Sequence, residues 1–205
     1  DFFFYLFLAV IIGGRIGYIL FYNINFYIDN PLDIFKVWEG GMSFHGALIG
    51  VMLTTFIFSK NYSIPLFLLS DLLSICAPIG IFFGRLSNFI NQELIGRQTN
   101  FIISINYPGE DITRHISQIY EAIFEGLLPA IILLIIFLKK KTKNGVLTSI
   151  FLINYALARF LIEFIRQPDK QVGLKLEIFT QGQILTIPII FLGILILYQC
   201  QSKQK

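Results

Sequence analysis

The chain has 205 residues, of which 55% are hydrophobic and only 14% are charged, and its formal net charge is +3. An ordinary soluble domain has about 25% charged residues, so this composition excludes a typical soluble protein and indicates an integral membrane protein. The small net charge, with no block of interleaved basic and aromatic residues, argues against nucleic-acid binding. The two cysteines lie in apolar runs without metal-ligand or disulfide spacing, so we expect neither a metal nor a cofactor.

Six apolar runs approach the roughly 20 residues that a helix needs to cross the hydrocarbon core of a bilayer. They predict an all-α polytopic membrane protein with a single transmembrane domain over residues 1–205. The first run has no initiator Met before it, which a removed signal peptide or a missing N-terminal portion would explain. We expect the missing portion, because the run shows no signal-peptide h-region or cleavage site. In chain order, the predicted spans are Phe2–Tyr22, Gly41–Ser59, Pro65–Phe83, Ser117–Leu138, Val146–Ile165 and Gln183–Cys200.

Glycine pairs of the GxxxG type lie in or at the end of each of the first three spans. Small residues at this spacing let transmembrane helices approach closely, so the pairs predict tight helix packing. The pairs are Gly13 with Gly17, Gly46 with Gly50 and Gly80 with Gly84.

The loops differ in their lysine density, which predicts the orientation of the chain. One side has short segments containing Lys60, the 139–143 lysine cluster and the C-terminal lysines, with no acidic residue among them. Lysine-rich loops face the cytoplasm, so we expect a cytoplasmic C-terminus. The polar strip Gly84–Arg97 then lies on the outer face. Beyond it, a strand-like run over Phe101–Tyr107 and a Pro-Gly turn predict a small head of loop and strand there.

Several polar side chains fall within the predicted spans, where a central arginine costs about 3 kcal/mol even on mild scales. Tyr155, Arg159, Glu163 and Arg166 recur at spacings of four, four and three, which places them on one helical face. One interpretation is an ion pair between Arg159 and Glu163. The other is anion binding, since Arg166 extends the face with an extra positive charge and guanidinium groups suit phosphate oxygens.

Two more basic residues lie in the first two spans. Arg15 falls in the middle of its run, close to Tyr18, so we expect it to face the bundle rather than the interface. His45 is surrounded by glycines, and an imidazole with an ordinary pKa of about 6.5 exchanges protons near neutral pH. For His45, a structural role and a role as proton acceptor both stay open.

Acidic residues in the third and fourth spans are predicted to balance these arginines. They are Asp71, Glu121 and Glu125, and Gln118 shares the face of the two glutamates. Arg85, Arg159 and Arg166 are predicted to converge near the outer leaflet, beside His45 and the strip residues Asn88, Asn91 and Glu93. Such a site suits binding of a phosphodiester headgroup with a proton transfer close by. A transporter would also place polar residues at this depth, but no matching pair of interrupted helices is present.

Six motifs, in order along nearly the whole chain, resemble the prolipoprotein diacylglyceryl transferase family. They are GGRIGYILFYN (Gly13–Asn23), WEGGMSFHGALIG (Trp38–Gly50), GRLSNFINQELIGR (Gly84–Arg97), RHISQIYEAIFEG (Arg114–Gly126), ARFLIEFIRQPD (Ala158–Asp169) and GQILTIP (Gly182–Pro188). The resemblance implies transfer of the diacylglyceryl group of phosphatidylglycerol to the lipobox cysteine thiol in the signal peptide of a prolipoprotein. It also implies a bacterial inner-membrane location, an outward-facing site and seven helices in the full-length protein.

The resemblance assigns roles to individual positions of this chain. The implied catalytic residues are His45, Arg85, Arg159 and Glu163. The implied or expected substrate-binding residues are Arg85, Asn88, Asn91, Glu93, Gly96, Tyr155, Arg166, Arg15 and Tyr18. Ser87 and Gln92 replace two family glycines, and a positive φ at either position would introduce strain; Ile116 replaces a family proline.

Two other functions remain open from the sequence alone. One is a non-catalytic membrane lipid transporter or channel. The other is an enzyme that uses phosphatidylglycerol with a different acceptor. Formation of a diacylglyceryl-cysteine adduct separates the transferase from both.

Overall fold

The computed structural model describes residues 1–139, 142–167, 174–175 and 179–202. Within these ranges, the side chains of several residues, His45 among them, are outside the described part. Backbone contacts divide the chain into two compact units, Asp1–Leu69 and Ser70–Lys205. The single-domain organisation over 1–205 stays a prediction.

The first unit is built from two long helices and the segment that joins them. Helix α1 spans Phe2–Tyr22, α2 spans Ile24–Asp29, and α3 spans Phe44–Asn61, with 3-10 turns at Pro31–Phe35 and Val37–Glu39. Ser43 caps α3, because its side-chain oxygen accepts a hydrogen bond from the N–H of Gly46 at 3.3 Å.

Helices α1 and α3 meet backbone to backbone at their glycines. A Cβ atom at Gly46 would collide with the carbonyl oxygen of Gly13, and one at Gly17 would lie 2.6 Å from the Cα of Gly46. The predicted close packing is therefore confirmed for the first two glycine pairs. It is wrong for Gly80 and Gly84, since a Cβ atom at either would meet no described atom within 4 Å.

The second unit holds the remaining helices and two short hairpins. Helix α4 begins in the first unit and continues into the second. In chain order the elements are α4 (Leu66–Ile90), β1 (Ser104–Asn106), β2 (Thr113–His115), α5 (Ser117–Glu121), a π-helical segment (Ala122–Leu127), α6 (Leu128–Leu138), α7 (Val146–Ile162), β3 (Leu174–Lys175), β4 (Phe179–Thr180) and α8 (Gln181–Ser202).

The π-helical segment lies inside an otherwise continuous helix over Ser117–Leu138. Pro129 follows it and has no N–H, so the carbonyl of Glu125 loses the donor that an α-helix would supply. A locally wider turn is a common response to such a gap, and such turns often occur at functional sites. This segment contains Glu125 and Gly126, and Gly126 packs directly against the backbone of Phe82 in α4.

Asp71 of α4 binds the start of α7. One carboxylate oxygen accepts hydrogen bonds from the N–H and the hydroxyl of Thr148, at 2.8 and 2.6 Å, and the other accepts from the N–H of Gly145 at 2.7 Å. The first N–H groups of a helix lack partners within the helix and favour negative charge. The prediction that Asp71 is a counter-charge to the arginines is therefore wrong, because N–H and hydroxyl groups of Gly145 and Thr148 bind both of its carboxylate oxygens.

Helix α8 begins with a reciprocal capping box. The N–H of Thr180 donates to Oε1 of Gln183 at 3.0 Å, and the N–H of Gln183 donates to the Thr180 hydroxyl at 3.3 Å. Gly182 lies between them, where a Cβ atom would approach the carboxylate of Glu163 to 3.1 Å. The cap therefore fixes the start of α8 next to that carboxylate.

Each predicted span overlaps a helix with bounds that differ by up to seven residues, and the mainly helical membrane architecture is confirmed. In the described part of the chain, four helices are long and apolar enough to cross a bilayer, namely Phe2–Leu20, Leu66–Ile90, Ser117–Leu138 and Gly182–Ser202. The apolar helices Gly46–Asn61 and Val146–Ile162 are shorter, so the count of six spans stays a prediction.

The predicted strand over Phe101–Tyr107 is confirmed in its centre. Strand β1 pairs antiparallel with β2, with Ser104 opposite His115. The Pro-Gly turn signal falls between the two strands, and Gly109 has the positive φ of 81° that favours glycine there. The position of this hairpin on the outer face stays a prediction.

Candidate active site

Three arginines and three glutamates meet inside the second unit. Helix α4 contributes Arg85, the Ser117–Leu138 helix contributes Glu121 and Glu125, and α7 with the turn after it contributes Arg159, Glu163 and Arg166. We call these six residues the Arg-Glu cluster.

Glu121 is the centre of the Arg-Glu cluster, because all three arginines contact it. Arg85 Nε lies 3.2 Å from one carboxylate oxygen, Arg166 Nη1 lies 3.5 Å from the other, and Arg159 Nη1 donates a hydrogen bond to that second oxygen. Glu121 is completely buried. A buried carboxylate needs such charged partners, since its transfer from water is costly.

Glu125 and Glu163 complete the pairing on either side. Arg85 Nη2 donates to Oε2 of Glu125 at 3.1 Å, and Arg159 Nη2 lies 2.8 Å from Oε2 of Glu163. The predicted Arg159–Glu163 ion pair is thus confirmed as one component. Glu121 and Glu125 are confirmed as counter-charges to the arginines.

The formal charges of the Arg-Glu cluster sum to zero, with three guanidinium groups and three carboxylates. The predicted extra positive charge of Arg166 is present beside Arg159 and Glu163, although α7 ends at Ile162, and a glutamate from another helix offsets it. Arg166 Nη1 lies 3.5 Å from Glu121 and 4.0 Å from Glu163, so carboxylates offset its charge. The helical period of α7 did not reveal this, because Glu121 belongs to another helix.

The segment after α4 folds back over the start of α5. Asn88 Nδ2 donates to the carboxylate of Glu93 at 2.9 Å, and Gln118 Nε2 donates to the carbonyl of Glu93 at 2.6 Å. Asn91 lies on the exposed turn between Asn88 and Glu93. The backbone of Gln92 has a φ of 58°, the conformation in which loss of the family glycine is expected to add strain. At Ser87, the other replaced glycine, the backbone is helical.

Gly96 lies where two backbone segments pass each other closely. It forms a β-bridge with Arg166, and a Cβ atom on it would collide with the carbonyl oxygen of His115. The N–H of Arg97 donates to the carbonyl of Ile165 at 2.8 Å. Only glycine fits this position, which joins the polar strip to the end of α7.

Two further polar residues next to the Arg-Glu cluster were not singled out from the sequence. Arg114 pairs with Glu110 and donates to the carbonyl of Gly96 at 3.3 Å and to Gln167 Oε1 at 2.9 Å. The Tyr107 hydroxyl donates to Oε1 of Gln118 at 3.0 Å, and burial raises the pKa of this phenol. Arg114 begins the RHISQ motif, and this motif was the feature of the sequence from which its role could have been predicted.

The remaining predicted site residues lie outside the Arg-Glu cluster's ion pairs. Tyr155 is on α7 one turn before Arg159, with its ring tilted against Phe151 at 6.0 Å between centroids. Tyr18 lies in the first unit, and its ring meets Tyr27 edge-on at 6.5 Å. His45 lies in the first turn of α3, and its side chain is outside the described part of the structure.

Arg15 is buried in the first unit and donates five hydrogen bonds to backbone carbonyls. The acceptors lie between 2.5 and 3.2 Å away and belong to Asp33, Ile34, Lys36, Gly40 and Gly41. A guanidinium group has five N–H donors, so all of them bind the segment that precedes α3. The expectation that Arg15 faces the protein interior is confirmed.

Comparison with known proteins adds an independent line of evidence. The sequence model of the family described as "Prolipoprotein diacylglyceryl transferase" matches residues 1–199. A relative from Ehrlichia ruminantium (strain Welgevonden) is 51% identical over 194 residues, which cover 92% of this chain and 75% of the relative. One from Rickettsia felis is 46% identical over 208 residues, covering 100% of this chain and 80% of the relative. Both are named "Phosphatidylglycerol--prolipoprotein diacylglyceryl transferase", and with this extent of similarity the chain belongs to the prolipoprotein diacylglyceryl transferase family.

Proposed function

We propose that this protein transfers the diacylglyceryl group of phosphatidylglycerol to the cysteine thiol of a prolipoprotein lipobox, the first step of bacterial lipoprotein maturation. Family membership over residues 1–199 supports the reaction class. The observation that supports the site is the convergence of Arg85, Arg159 and Arg166 on one buried carboxylate. A purely transporting protein is not favoured, since the relatives are named as transferases.

The reaction forms a bond between the cysteine sulfur and the glyceryl carbon and breaks the bond between that carbon and a phosphate oxygen. Glycerol phosphate leaves with the bonding electrons, and the thiol proton passes to a base or to water. Arg85 and Arg159 would stabilise the charge on the leaving phosphate. Preorganised donors of this kind contribute roughly 3 to 4 kcal/mol each in other enzymes.

His45 is the proposed acceptor of the thiol proton. A free cysteine has a pKa of about 8.5, so a base increases the reactive thiolate without being indispensable. Glu163 would act through Arg159, since its carboxylate lies 2.8 Å from that guanidinium group.

The other proposed substrate contacts surround the Arg-Glu cluster or lie in the first unit. Asn88 and Glu93 are hydrogen-bonded to each other and would orient the headgroup. Gly96 allows the polar strip to pass close to the end of α7. Asn91, Tyr155 and Arg166 from the second unit and Tyr18 from the first complete the proposed set. Arg15 would act by holding the segment before α3, since all five of its N–H donors bind backbone carbonyls there.

The proposed location is the bacterial inner membrane, with the site toward the outer face and the C-terminus in the cytoplasm. Lysine density supports this orientation, since the loop over 139–143 contains four lysines and no acidic residue. The partners would be phosphatidylglycerol, the surrounding membrane lipids and the prolipoprotein signal peptide.

A direct test mixes the purified protein with phosphatidylglycerol and a peptide that contains a lipobox cysteine. We expect a peptide whose mass increases by one diacylglyceryl group, together with released glycerol phosphate. A peptide with serine in place of the cysteine is the matched control and stays unmodified. Glycerol phosphate release without peptide modification supports another acceptor, and neither product supports a non-catalytic role.

A further inference from the structure

The balanced charge of the Arg-Glu cluster limits what it can bind. With three guanidinium groups and three carboxylates it is neutral, and a phosphodiester adds one negative charge. The side chains are largely buried, at 17% exposure or less. A net charge in such surroundings costs several kcal/mol unless it is compensated. Arg97 donates to the carbonyl of Arg166 at 3.0 Å but is exposed to solvent and lies outside the cluster. Binding of the anion within the cluster therefore needs one compensating positive charge.

A proton on one of the three carboxylates would supply this charge, and their contacts differ enough to identify which one. Glu121 is contacted by three arginines, and Glu163 is paired with Arg159 at 2.8 Å. One oxygen of each glutamate accepts no hydrogen bond from a described residue, but an arginine nitrogen lies 3.2 Å from that oxygen in Glu121 and 2.8 Å from it in Glu163. Glu125 is completely buried, and within the described residues its Oε1 has no ion pair shorter than 3.9 Å. This ion pair is with Nη1 of Arg159.

The groups that face Glu125 act in both directions, because Glu121 favours its neutral form whereas Arg85 and Arg159 favour its ionised form. On its own helix, Glu121 lies one turn away and adds a like charge. From α4, Arg85 donates to its Oε2 at 3.1 Å. From α7, Arg159 contributes the long ion pair, and the phenol of Tyr155 is the remaining titratable group. Of these, Arg85 and Arg159 are the two arginines proposed to contact the phosphate.

We infer that binding of a monoanionic phosphodiester lipid is coupled to the uptake of one proton from solvent by the carboxylate of Glu125. The bound cluster then has three positive charges, two carboxylates and one phosphodiester, and is neutral again. Neutral Glu125 releases Arg85 for the phosphate, while Glu121 stays ionised and holds the arginines in place. Glu125 is thus a positioning residue, and this inference rests on the proposed function.

The coupling also favours release of the product. A phosphomonoester has a charge of about −1.5 to −2 near neutral pH, which exceeds the single charge that one proton on Glu125 balances. The cluster is therefore matched to the diester substrate rather than to the glycerol phosphate that leaves. We expect free glycerol phosphate to compete only weakly with phosphatidylglycerol.

Isothermal titration calorimetry in buffers of different ionisation enthalpy counts the protons taken up on binding. Phosphatidylglycerol in detergent micelles is titrated into the purified protein at several values from about pH 6 to about pH 9. We expect uptake to approach one proton toward the upper end of this range. The dissociation constant should rise by up to about tenfold per pH unit there. Diacylglycerol, which lacks the phosphate, is the matched control lipid and should cause no uptake.

Two variants locate the proton. Glu125→Gln mimics the neutral acid, so it should bind phosphatidylglycerol with no proton uptake and with a pH-independent dissociation constant. Glu121→Gln also leaves the cluster with one net positive charge and should take up no proton, but it removes the contact shared by three arginines and should weaken binding at least tenfold at every pH. Near-ultraviolet circular dichroism reports whether each variant stays folded. If Glu125→Gln misfolds, wild-type protein titrated over the same pH range still tests the coupling.

Binding by the wild-type protein without proton uptake at any pH overturns the inference and leaves the proposed function standing. Undiminished uptake in folded Glu125→Gln overturns the assignment to this residue. Absence of both lipid binding and peptide modification would instead contradict the proposed function, so the two failures are distinguishable.

Discussion

Replacement of Arg159 by lysine separates the charge of this side chain from its geometry. In the structure, Nη1 of Arg159 binds Glu121 and Nη2 lies 2.8 Å from Glu163. Lysine keeps the positive charge but ends in a single nitrogen. It can therefore contact one of the two carboxylates well, and it offers no fork to a phosphate group.

The magnitude follows from the contacts that are lost. One charge-assisted hydrogen bond contributes about 1.5 to 3 kcal/mol, and a donor directed at developing negative charge contributes about 3 to 4 kcal/mol. Because the same nitrogen atoms make both kinds of contact, the two losses are not added, and we expect the activation barrier to rise by about 3 kcal/mol. This corresponds to a roughly 100-fold lower kcat, since about 1.4 kcal/mol is tenfold in rate.

The assay measures the initial rate of lipobox-peptide modification at saturating phosphatidylglycerol. A melting curve in detergent shows whether the Arg159→Lys variant is folded. Glu163→Gln is the matched control, because it removes a partner of Arg159 while leaving its donors, and we expect a smaller loss. Folded Arg159→Lys with a kcat within about threefold of wild type would refute the role of the guanidinium fork.

Four further predictions concern other parts of the chain. Asp71→Asn should lower the free energy of unfolding by about 2 kcal/mol while activity per folded molecule is unchanged; an equal loss of activity and no loss of stability would contradict the cap. Gly46→Ala should destabilise the first unit by more than about 1 kcal/mol, whereas Gly80→Ala should be neutral or stabilise α4 by up to about 1 kcal/mol. Denaturant unfolding measures both changes, and equal effects would argue against the α1–α3 contact. Gln92→Gly should raise stability by about 1 kcal/mol, because it removes the cost of a positive φ, and no gain would show that the turn is unstrained. His45→Gln should lower the rate of peptide modification about 100-fold, and a rate within about threefold of wild type would exclude His45 as the acceptor of the thiol proton.

Helical periodicity predicted the polar face of α7 from the sequence, because residues three and four apart are neighbours on any α-helix. Arg159 and Glu163 are in fact paired at 2.8 Å. The end of α4 could not be predicted in the same way. The apolar pattern stops at Phe83, but the helix continues to Ile90, which places Arg85 and Asn88 on a helix. Hydrophobicity marks where lipid contact ends, whereas hydrogen bonds decide where the helix ends.

The sequence alone could not predict which side chains of different helices contact each other, since these contacts depend on tertiary packing. Asp71 and Glu121 are both intramembrane acids, and both were predicted to balance arginines. Asp71 instead binds the N–H groups at the start of α7, while Glu121 contacts three arginines. Glycine spacing likewise does not predict which glycines contact another helix, because a Cβ atom at Gly46 would meet a facing helix whereas one at Gly80 would meet no described atom within 4 Å.

The two roles of the Arg-Glu cluster place opposing demands on its charge. An arginine held at membrane depth without a partner would make folding costly, so the empty site needs carboxylates close to Arg85 and Arg159. The same carboxylates repel the phosphate that these arginines are proposed to bind. A cluster of fixed charge would satisfy one demand at the expense of the other. A carboxyl group that is ionised when the site is empty and neutral when it is full satisfies both. Glu125 has the contacts that this requires, because one of its oxygens is bound to Arg85 and the other is 3.9 Å from Arg159.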